Sequence, residues 1–496
     1  MTEIELKFRV DPKRAAALDD ALRAQPGALR SIRSRYFDTA DRRLARARLS
    51  LRLRKTDGSW EQTLKAPGPH FSAREEETVS RPGKWGSAGP DIDPTLHAGT
   101  RAGQLLEAAL HGTGADNTEL LPVHETEIKR RVVEVEADGA CIELAFDRGT
   151  IRAGLDSTPV CELELELKSG PPAPWIALAK AGIAEYGLSL STVSKAARAD
   201  RLAQGLQVGP PVKSVTPHLS AKQDGAALYS AIVEACLEQV IGNAREIAGG
   251  RCDAEHIHQL RVGIRRLRSA ARELGRLAPA YDAAAWEPPL SDAFRALGAY
   301  RDRETVAPAI EARLQAAGSP SPSIAARASA PPDPLEVVGA SAFQTALLDV
   351  MALTATVPSD GESTPGPAAA RRVINKRLAR LQRQLEQGAR RFGTLDEDGQ
   401  HRVRKRLKRL RYLVELVAPL YGKRKVEAYR ARLEPAQDAV GEHVDLLLSR
   451  RAARRHAEGD EPRAWFNVGW LGAEIARSTR RARKALQRAG RAPAFW

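Results

Sequence analysis

Glu3, Glu5 and Lys7 alternate with Ile4, Leu6 and Phe8, so an extended strand here carries one ionic face and one apolar face. Arg52 and Arg54 stand in the same relation to Leu51 and Leu53, and Glu162, Glu164 and Glu166 to Leu163, Leu165 and Leu167. Whole strands therefore segregate acid or base to one side. A solvated sheet face usually mixes its charges with Thr, Ser and Gln. A closed barrel with a polar interior would place such strips inside and turn the Leu and Ile faces outward, under helices. Bases and carboxylates together suit a phosphate chain: Arg and Lys grip its oxygens, and carboxylates hold Mg²⁺ or Mn²⁺, hard cations that prefer oxygen ligands. Carboxylates alone would repel it. A sandwich with cross-strand salt bridges accounts for the same alternation. No nucleophilic Ser or Cys motif and no Walker-type glycine loop points to other chemistry.

A second pattern lies in the other half of the chain. His258, Arg261, Arg265 and Arg268 superpose without a gap on His401, Arg404, Lys408 and Arg411, at a constant offset of 143 residues. Arg301-Asp302 and Gln437-Asp438 follow as a second matched pair. On a helix these spacings fall within an arc of roughly 80°. Like charges three and four residues apart weaken a helix, so two such stripes in register call for a compensating anion or for acidic helices packed against them.

The elements that must position these residues follow from periodicity. Alternation predicts strands over Thr2–Val10, Ser34–Asp38, Leu49–Lys55, Glu61–Lys65, Arg74–Val79, Thr126–Val135, Cys141–Arg148 and Pro159–Lys168. Helical stretches interrupt them around Lys13–Ala24, Thr100–His111 and Pro174–Glu185. Gly205–Pro217, centred on Gly209-Pro210-Pro211, has linker chemistry. The expected domains are 1–204 and 220–496, joined by a linker over 205–219. Beyond the linker, apolar residues at helical spacing such as Ile374, Leu378, Leu381 and Leu385 predict an all-α half. Ala317–Pro334 and Val357–Pro367 are too poor in large apolar residues to pack and read as loops or disordered connectors.

Charge divides at the same place. Residues 1–210 hold 30 basic and 30 acidic side chains, whereas the remainder holds 47 and 32, so the whole formal charge of +15 sits in the helical half. Its partner is expected to be an anion: nucleic acid, polyphosphate or an acidic surface. No long apolar run or secretory leader is visible, so the chain reads as soluble and cytoplasmic, with no membrane partner. Cys141, Cys161, Cys236 and Cys252 show neither zinc-type pairing nor a disulfide framework and read as buried thiols.

The segment TEIELKF, followed in order by RYFDT at 35–39, LRLRK at 51–55, TLKAP at 63–67, REEE at 74–77, ELAFDRG at 143–149, CELELELKSG at 161–170 and SKAAR at 194–198, resembles the CYTH family, the triphosphate tunnel metalloenzymes. The resemblance implies an eight-stranded antiparallel barrel with covering helices, enclosing a tunnel for a triphosphate, and hence an α+β chain overall. It implies that Glu3, Glu5, Asp147, Glu162 and Glu164 bind Mg²⁺ or Mn²⁺, and that Lys7, Arg52, Arg54, Lys65, Arg74, Arg130 and Lys195 bind the phosphates. Glu3, Glu5 and Lys7 would be catalytic. Glu166 shares their face but stands beyond the metal shell. Within Lys129-Arg130-Arg131 the register stays open by one residue, and a slip of one reverses the face.

The repeated stripes resemble the CHAD family, named for conserved histidines in an α-helical domain, over about 220–490. That resemblance implies two four-helix bundles related by a pseudo-twofold axis, with His258, Arg261, Arg265, Arg268, His401, Arg404, Lys408 and Arg411 lining a groove for inorganic polyphosphate. Neither helix supplies a hydrolytic base, so this half reads as a binder. Together the resemblances imply an inorganic triphosphatase with a polyphosphate-binding domain, associated with polyphosphate granules. Adenylyl cyclase, thiamine triphosphatase and a non-enzymatic polyphosphate adaptor are the other uses of the same parts. Nucleic acid is disfavoured, because the helical half has few aromatic residues for base stacking.

Overall fold

Period-two alternation becomes a closed sheet. The computed structural model describes the chain except residues 1, 69–72, 87–88, 112–117, 251, 324–331, 356–363 and 459–461, and the side chains of residues 2–4, 73–74, 301, 304–305, 355 and 462 also lie outside the description. Its first compact unit comprises Met1–Pro211, Arg245–Cys252 and Gly339–Leu348; the second comprises Val212–Ala244, Asp253–Val338 and Asp349–Trp496.

In the first unit the order is β1 (Thr2–Arg9), α1 (Ala15–Arg23), β2 (Gly27–Asp38), α2 (Arg43–Arg46), β3 (Ser50–Thr56), β4 (Ser59–Pro67), β5 (Ala73–Ser80), α3 (Arg101–His111), β6 (Leu121–Ala137), β7 (Ala140–Ala153), β8 (Asp156–Ser169), α4 (Pro172–Tyr186), β9 (Ser189–Leu190) and α5 (Lys195–Ala203). The sheet runs β5-β4-β3-β2-β6-β7-β8-β1, and a further β5–β1 pairing closes it; β9 adds to β1. Every pairing is antiparallel. Eight strands enclose an interior just wide enough for side chains or one small ligand. All eight expected strands are present, β2 beginning well before Ser34. The sequence reading lacked α2, α5 and β9, which are short or held by tertiary contacts.

The outward apolar face is covered by helices. Leu51, Leu64 and Ala66 pack with Ala102, Leu106 and Leu110 of α3, and the Trp175 indole of α4 donates to the Leu165 carbonyl at 3.1 Å. Each fully buried leucine contributes about 1.5–3 kcal/mol. The ionic faces are thereby left to the interior.

The second unit is helical: α6 (Gly225–Ala248), α7 (Ala254–Leu274), α8 (Glu287–Arg301), α9 (Ala307–Ala316), α10 (Pro334–Gly339), α11 (Ser341–Ala355), α12 (Pro367–Arg391), α13 (Glu397–Val417), α14 (Lys423–Glu458) and α15 (Trp465–Gly490), with parts of α6, α10 and α11 grouped in the first unit. Ile374, Leu378, Leu381 and Leu385 are all buried. Helix α12 packs on α13 and α15, and α14 packs on α13 and α15. The repeat extends to the caps. Helices α7 and α13 start and stop at the same offset of 143, with Asp253 accepting from His256 N–H and Asp396 from Gly399 N–H. Each then tightens into a 3₁₀ turn, Gly275–Leu277 and Ala418–Leu420.

Of the expected connectors, 324–331 and 357–363 lie outside the described residues; residues 317–323 and 332–333 form no helix or strand, as expected, but Ser319 and Ser321 are docked by hydrogen bonds to Asn467 at 2.6 and 2.7 Å. Among the described residues no helix is long and apolar enough to cross a membrane. Among the described residues none of the four cysteines is in a disulfide, and only Cys236 is buried; Cys141 and Cys161 are half-buried and Cys252 is exposed, which corrects the reading of four buried thiols. Cys252 stands just ahead of the cap of α7, outside any apolar face.

Candidate functional site

Residues paired across antiparallel strands share a face. Lys7 pairs with Glu164, Glu162 with Asp147, Asp147 with Arg130, Tyr36 with Arg52, Ser34 with Arg54, and Lys65 with Glu76. Followed around the closed sheet, these pairs put the expected bases and carboxylates of β1, β3, β4, β6, β7 and β8 on the interior face. The register question at 129–131 is answered: Arg130 pairs with Asp147, while Arg131 turns outward to Asp19 of α1 at 2.8 Å. The backbones of Glu3 and Arg74 are in register; their side chains lie outside the described residues.

The interior divides into two clusters. In the first, Arg52 Nη2 lies 3.3 Å from Glu76, whose other oxygen pairs with Lys65, and Arg54 Nη1 lies 3.3 Å from Glu61. Arg52 Nη1 also reaches the Tyr36 hydroxyl at 3.5 Å. The Nε atoms of Arg52 and Arg54 are buried with no hydrogen-bond partner. Burial, then Arg52 and Arg130, push Arg54 down to about 10. Against its own burial, Lys65 and Arg52 hold Glu76 down to about 2. Cationic charge is under-compensated here.

The second cluster is acidic strands stitched by cations. Arg130 clamps Asp147 with two bonds of 2.7 and 2.6 Å and reaches Glu164 at 2.6 Å. Lys7 meets Glu164 at 3.0 Å and, loosely, Glu5 at 3.9 Å. Lys195, the first residue of α5, touches Asp147, Glu162 and Glu164 at 2.7, 2.9 and 3.0 Å. The Ser194 hydroxyl caps that helix by accepting from Ala197 N–H. Burial opposes charge on Glu164, but Lys195, Lys7 and Arg130 outweigh it and hold the carboxyl well below its usual range. Lys195 stays well above the ordinary lysine value despite burial, held there by Glu162, Glu164 and Asp147.

Lys195 thus lies against carboxylates, not in the basic strip where a phosphate-gripping role places it. Glu166 is drawn aside by Lys168 at 2.8 Å. The donor set is all oxygen, as a hard divalent cation requires. Among the described residues no three carboxylates, thiols or imidazoles are gathered at ligand spacing, because Lys7, Arg130 and Lys195 stand between them. Glu5, with a single loose contact, is the least engaged.

Glu61, Glu76, Tyr36 and Arg198 were missed from sequence. Glu76 follows Arg74 by two residues, so strand periodicity alone places it beside the bases. Arg198 follows Lys195 by three, one turn of α5, and pairs with Glu162.

In the helical unit, α7 and α13 meet at a cavity of about 740 Å³ lined by Arg261, Arg265, Arg268, His401, Arg404 and Lys408, among others. Arg261 and Arg265 stack on Phe294 at 4.4 and 4.8 Å. Arg268 is bonded by Glu287 at 2.8 Å, and Arg404 stands 4.0 Å from Asp445. Burial, then Lys405 and Arg404, lower the His401 pKa. His258 is exposed and Arg411 is turned to Glu415 and Gln437, both at 2.8 Å; neither lines the cavity.

A CYTH domain model matches residues 1–199 and a CHAD domain model residues 231–454. The chain is 28% identical over 203 residues to an inorganic triphosphatase of Haemophilus influenzae, a stretch covering 40% of this chain and 54% of that protein. It therefore spans about half the length of the curated relative it matches. Among solved structures, the CHAD domain from the plant Ricinus communis is 25% identical with a TM-score of 0.44, covering 58% of this chain and 99% of that one. A putative adenylyl cyclase from Hippeastrum, described as having a dominant triphosphatase activity, is 21% identical with a TM-score of 0.29, covering 42% and 97%. The chain joins a CYTH domain, residues 1–199, to a CHAD domain, residues 231–454.

Proposed function

We propose that the β-barrel hydrolyses inorganic triphosphate with the help of Mg²⁺ or Mn²⁺, and that the helical domain binds long inorganic polyphosphate. The observation that carries the first part is the pair of buried, unpartnered Nε atoms on Arg52 and Arg54, with Arg54 pushed down to about 10 by burial and by like charge. Buried, under-partnered guanidinium groups of this kind suit an anion. The triphosphatase named among the relatives supports the same reading. The domains proposed are 1–204 and 220–496, with 205–219 as linker.

The substrate would lie along Arg52, Arg54 and Lys65, with Lys7, Arg74 and Arg130 completing the grip. As the chain enters, Glu61 and Glu76 release cations that they hold beforehand, so phosphate replaces carboxylate as the partner of each base. Lys195 fits a counter-ion role for Asp147, Glu162 and Glu164 better than direct phosphate contact. Glu3, Glu5, Asp147, Glu162 and Glu164 would hold the metal, after partner exchange with Lys7 and Lys195. When bound, the ion supplies charge neutralisation and Lewis acidity at phosphoryl oxygens. Glu5, the carboxylate with the loosest partner, would be the readiest to hold the ion, while a tunnel carboxylate outside the metal shell orients the water that attacks the terminal phosphorus as the bridging P–O bond breaks and pyrophosphate leaves. Catalysis would be positioning and electrostatic stabilisation, with no covalent step by the protein.

In the helical domain, Arg261, Arg265, His401, Arg404 and Lys408 would meet polyphosphate in the cavity, with Arg268 freed from Glu287; His258 and Arg411 would act at its rim. Turnover of triphosphate, ATP and thiamine triphosphate by the full chain tests the assignment. A strong preference for inorganic triphosphate is expected; faster turnover of either organic substrate would reassign the barrel. A cytoplasmic location, including polyphosphate granules, is part of the same proposal.

A further inference from the structure

A cavity of about 480 Å³ adjoins the barrel interior at the N-terminal turn of α5 and is lined by Tyr36, Ser50, His124 and Ser194, among others. Tyr36 and Ser50 belong to the interior face, since they pair with Arg52 and Lys65. Ser50 precedes Arg52 by two residues, ~7 Å along a strand. The cavity therefore continues the basic strip.

His124 is 7% exposed, and both ring nitrogens are buried without a hydrogen-bond partner. Its ring stacks on Tyr36 with centroids 4.5 Å apart. A buried polar group left unmet is costly and points to a missing partner. Burial, then Arg42, push its pKa down to about 4, so the neutral ring offers one N–H donor and one acceptor nitrogen. A hydrogen phosphate group supplies the matching oxygen and O–H.

The surrounding charge has the same preference. Arg42, Arg48, Arg201 and Arg245 line the cavity against Asp38 and Asp200, with Arg201 and Arg245 also paired to Glu246 at 2.9 and 3.2 Å, which leaves four cations against three carboxylates. Asp38 is occupied in capping α2, accepting from the N–H groups of Leu44 and Ala45 at 2.8 and 3.0 Å, and Asp200 pairs with Arg42. Arg48 is exposed and makes no ion pair among the described residues. The first turn of α5, with Ser194, Ala196 and Ala197 on the wall, adds the positive end of a helix.

We propose that this cavity is a second phosphate site, continuous with the barrel interior, which takes one phosphate group: the fourth of a longer linear chain or a released orthophosphate. The inference rests on the triphosphate reading only for the source of that group. The test is therefore a binding measurement without turnover, by calorimetry on the full chain in chelator. Orthophosphate, triphosphate and tetraphosphate are compared in wild type, His124→Phe and Arg48→Glu, the last an exposed position chosen to spare folding.

Loss of a charge-assisted contact weakens binding by about tenfold. Weaker orthophosphate binding in both variants would identify a product site. A fall in the affinity ratio of tetraphosphate to triphosphate would identify a chain-extension site. If wild type binds no orthophosphate and does not favour tetraphosphate, or if neither quantity moves in Arg48→Glu, the site is refuted. Failure of triphosphate to bind at all would instead count against the barrel function.

Discussion

Arg54→Met should stabilise the unliganded protein while weakening its grip on triphosphate. Arg54 is four-fifths buried and pushed down to about 10. Since a guanidinium stays charged at neutral pH, the depression appears as a destabilisation of the folded state of about 3 kcal/mol. The variant loses the pairing with Glu61, which is partly exposed, at a cost of about 1 kcal/mol or less. Methionine retains part of the side-chain volume. A net gain of about 1–2 kcal/mol should raise the melting temperature of the triphosphate-responsive transition by roughly 4 °C. Triphosphate at about a hundred times its wild-type Kd should then stabilise the wild type by about 2.7 kcal/mol. A variant with affinity lowered about a hundredfold would gain less than about 0.5 kcal/mol. Calorimetric scans in chelator, with and without triphosphate, should show the order of the two proteins reverse on adding ligand. A variant that melts below wild type without ligand, or gains equally from triphosphate, would refute an anion site at Arg54.

Glu76→Gln tests the basic strip from its acidic side. The folded pKa of Glu76 is depressed, so its stabilisation is present above the usual carboxylate range and is lost as pH falls toward about 2. Acid unfolding followed by circular dichroism should be steeper in wild type than in the variant; identical curves would count against the Lys65 and Arg52 pairing. Lys195→Met removes one cation from three buried carboxylates and should cost about 3–5 kcal/mol, with a larger thermal shift on adding Mg²⁺ than wild type shows; an unchanged melting temperature would contradict the network. In the helical domain, Arg265→Glu and Lys408→Glu should each weaken polyphosphate binding by about tenfold and flatten its salt dependence, read by titration at two salt concentrations. Unchanged affinity in both would remove the cavity as the binding site.

Much of the barrel was legible because alternation of period two leaves little freedom once one face is ionic. Lys7, Arg52, Arg54, Lys65, Asp147, Glu162 and Glu164 all reach the interior for that reason. Arg130 was not decidable alone, since three consecutive bases offer two faces; the pairing with Asp147 decides it. Glu76 obeyed the same period and was overlooked beside two other glutamates. Lys195 could not be placed from spacing, because its position depends on how α5 docks across β6, β7 and β8. The offset of 143 foretold equal helices, but not that His258 is exposed while His256 is buried in the cap. Nothing in the sequence alone marks His124, whose character comes from burial and from stacking on Tyr36.

The most direct measurement is phosphate release from inorganic triphosphate by the purified full chain, with Mg²⁺ or Mn²⁺ and with chelator, for wild type and Glu5→Gln. Metal-dependent release by wild type, lowered about a hundredfold or more in the variant, is predicted. No release by wild type under any condition, or release indifferent to metal and to Glu5, would contradict a triphosphatase in the barrel.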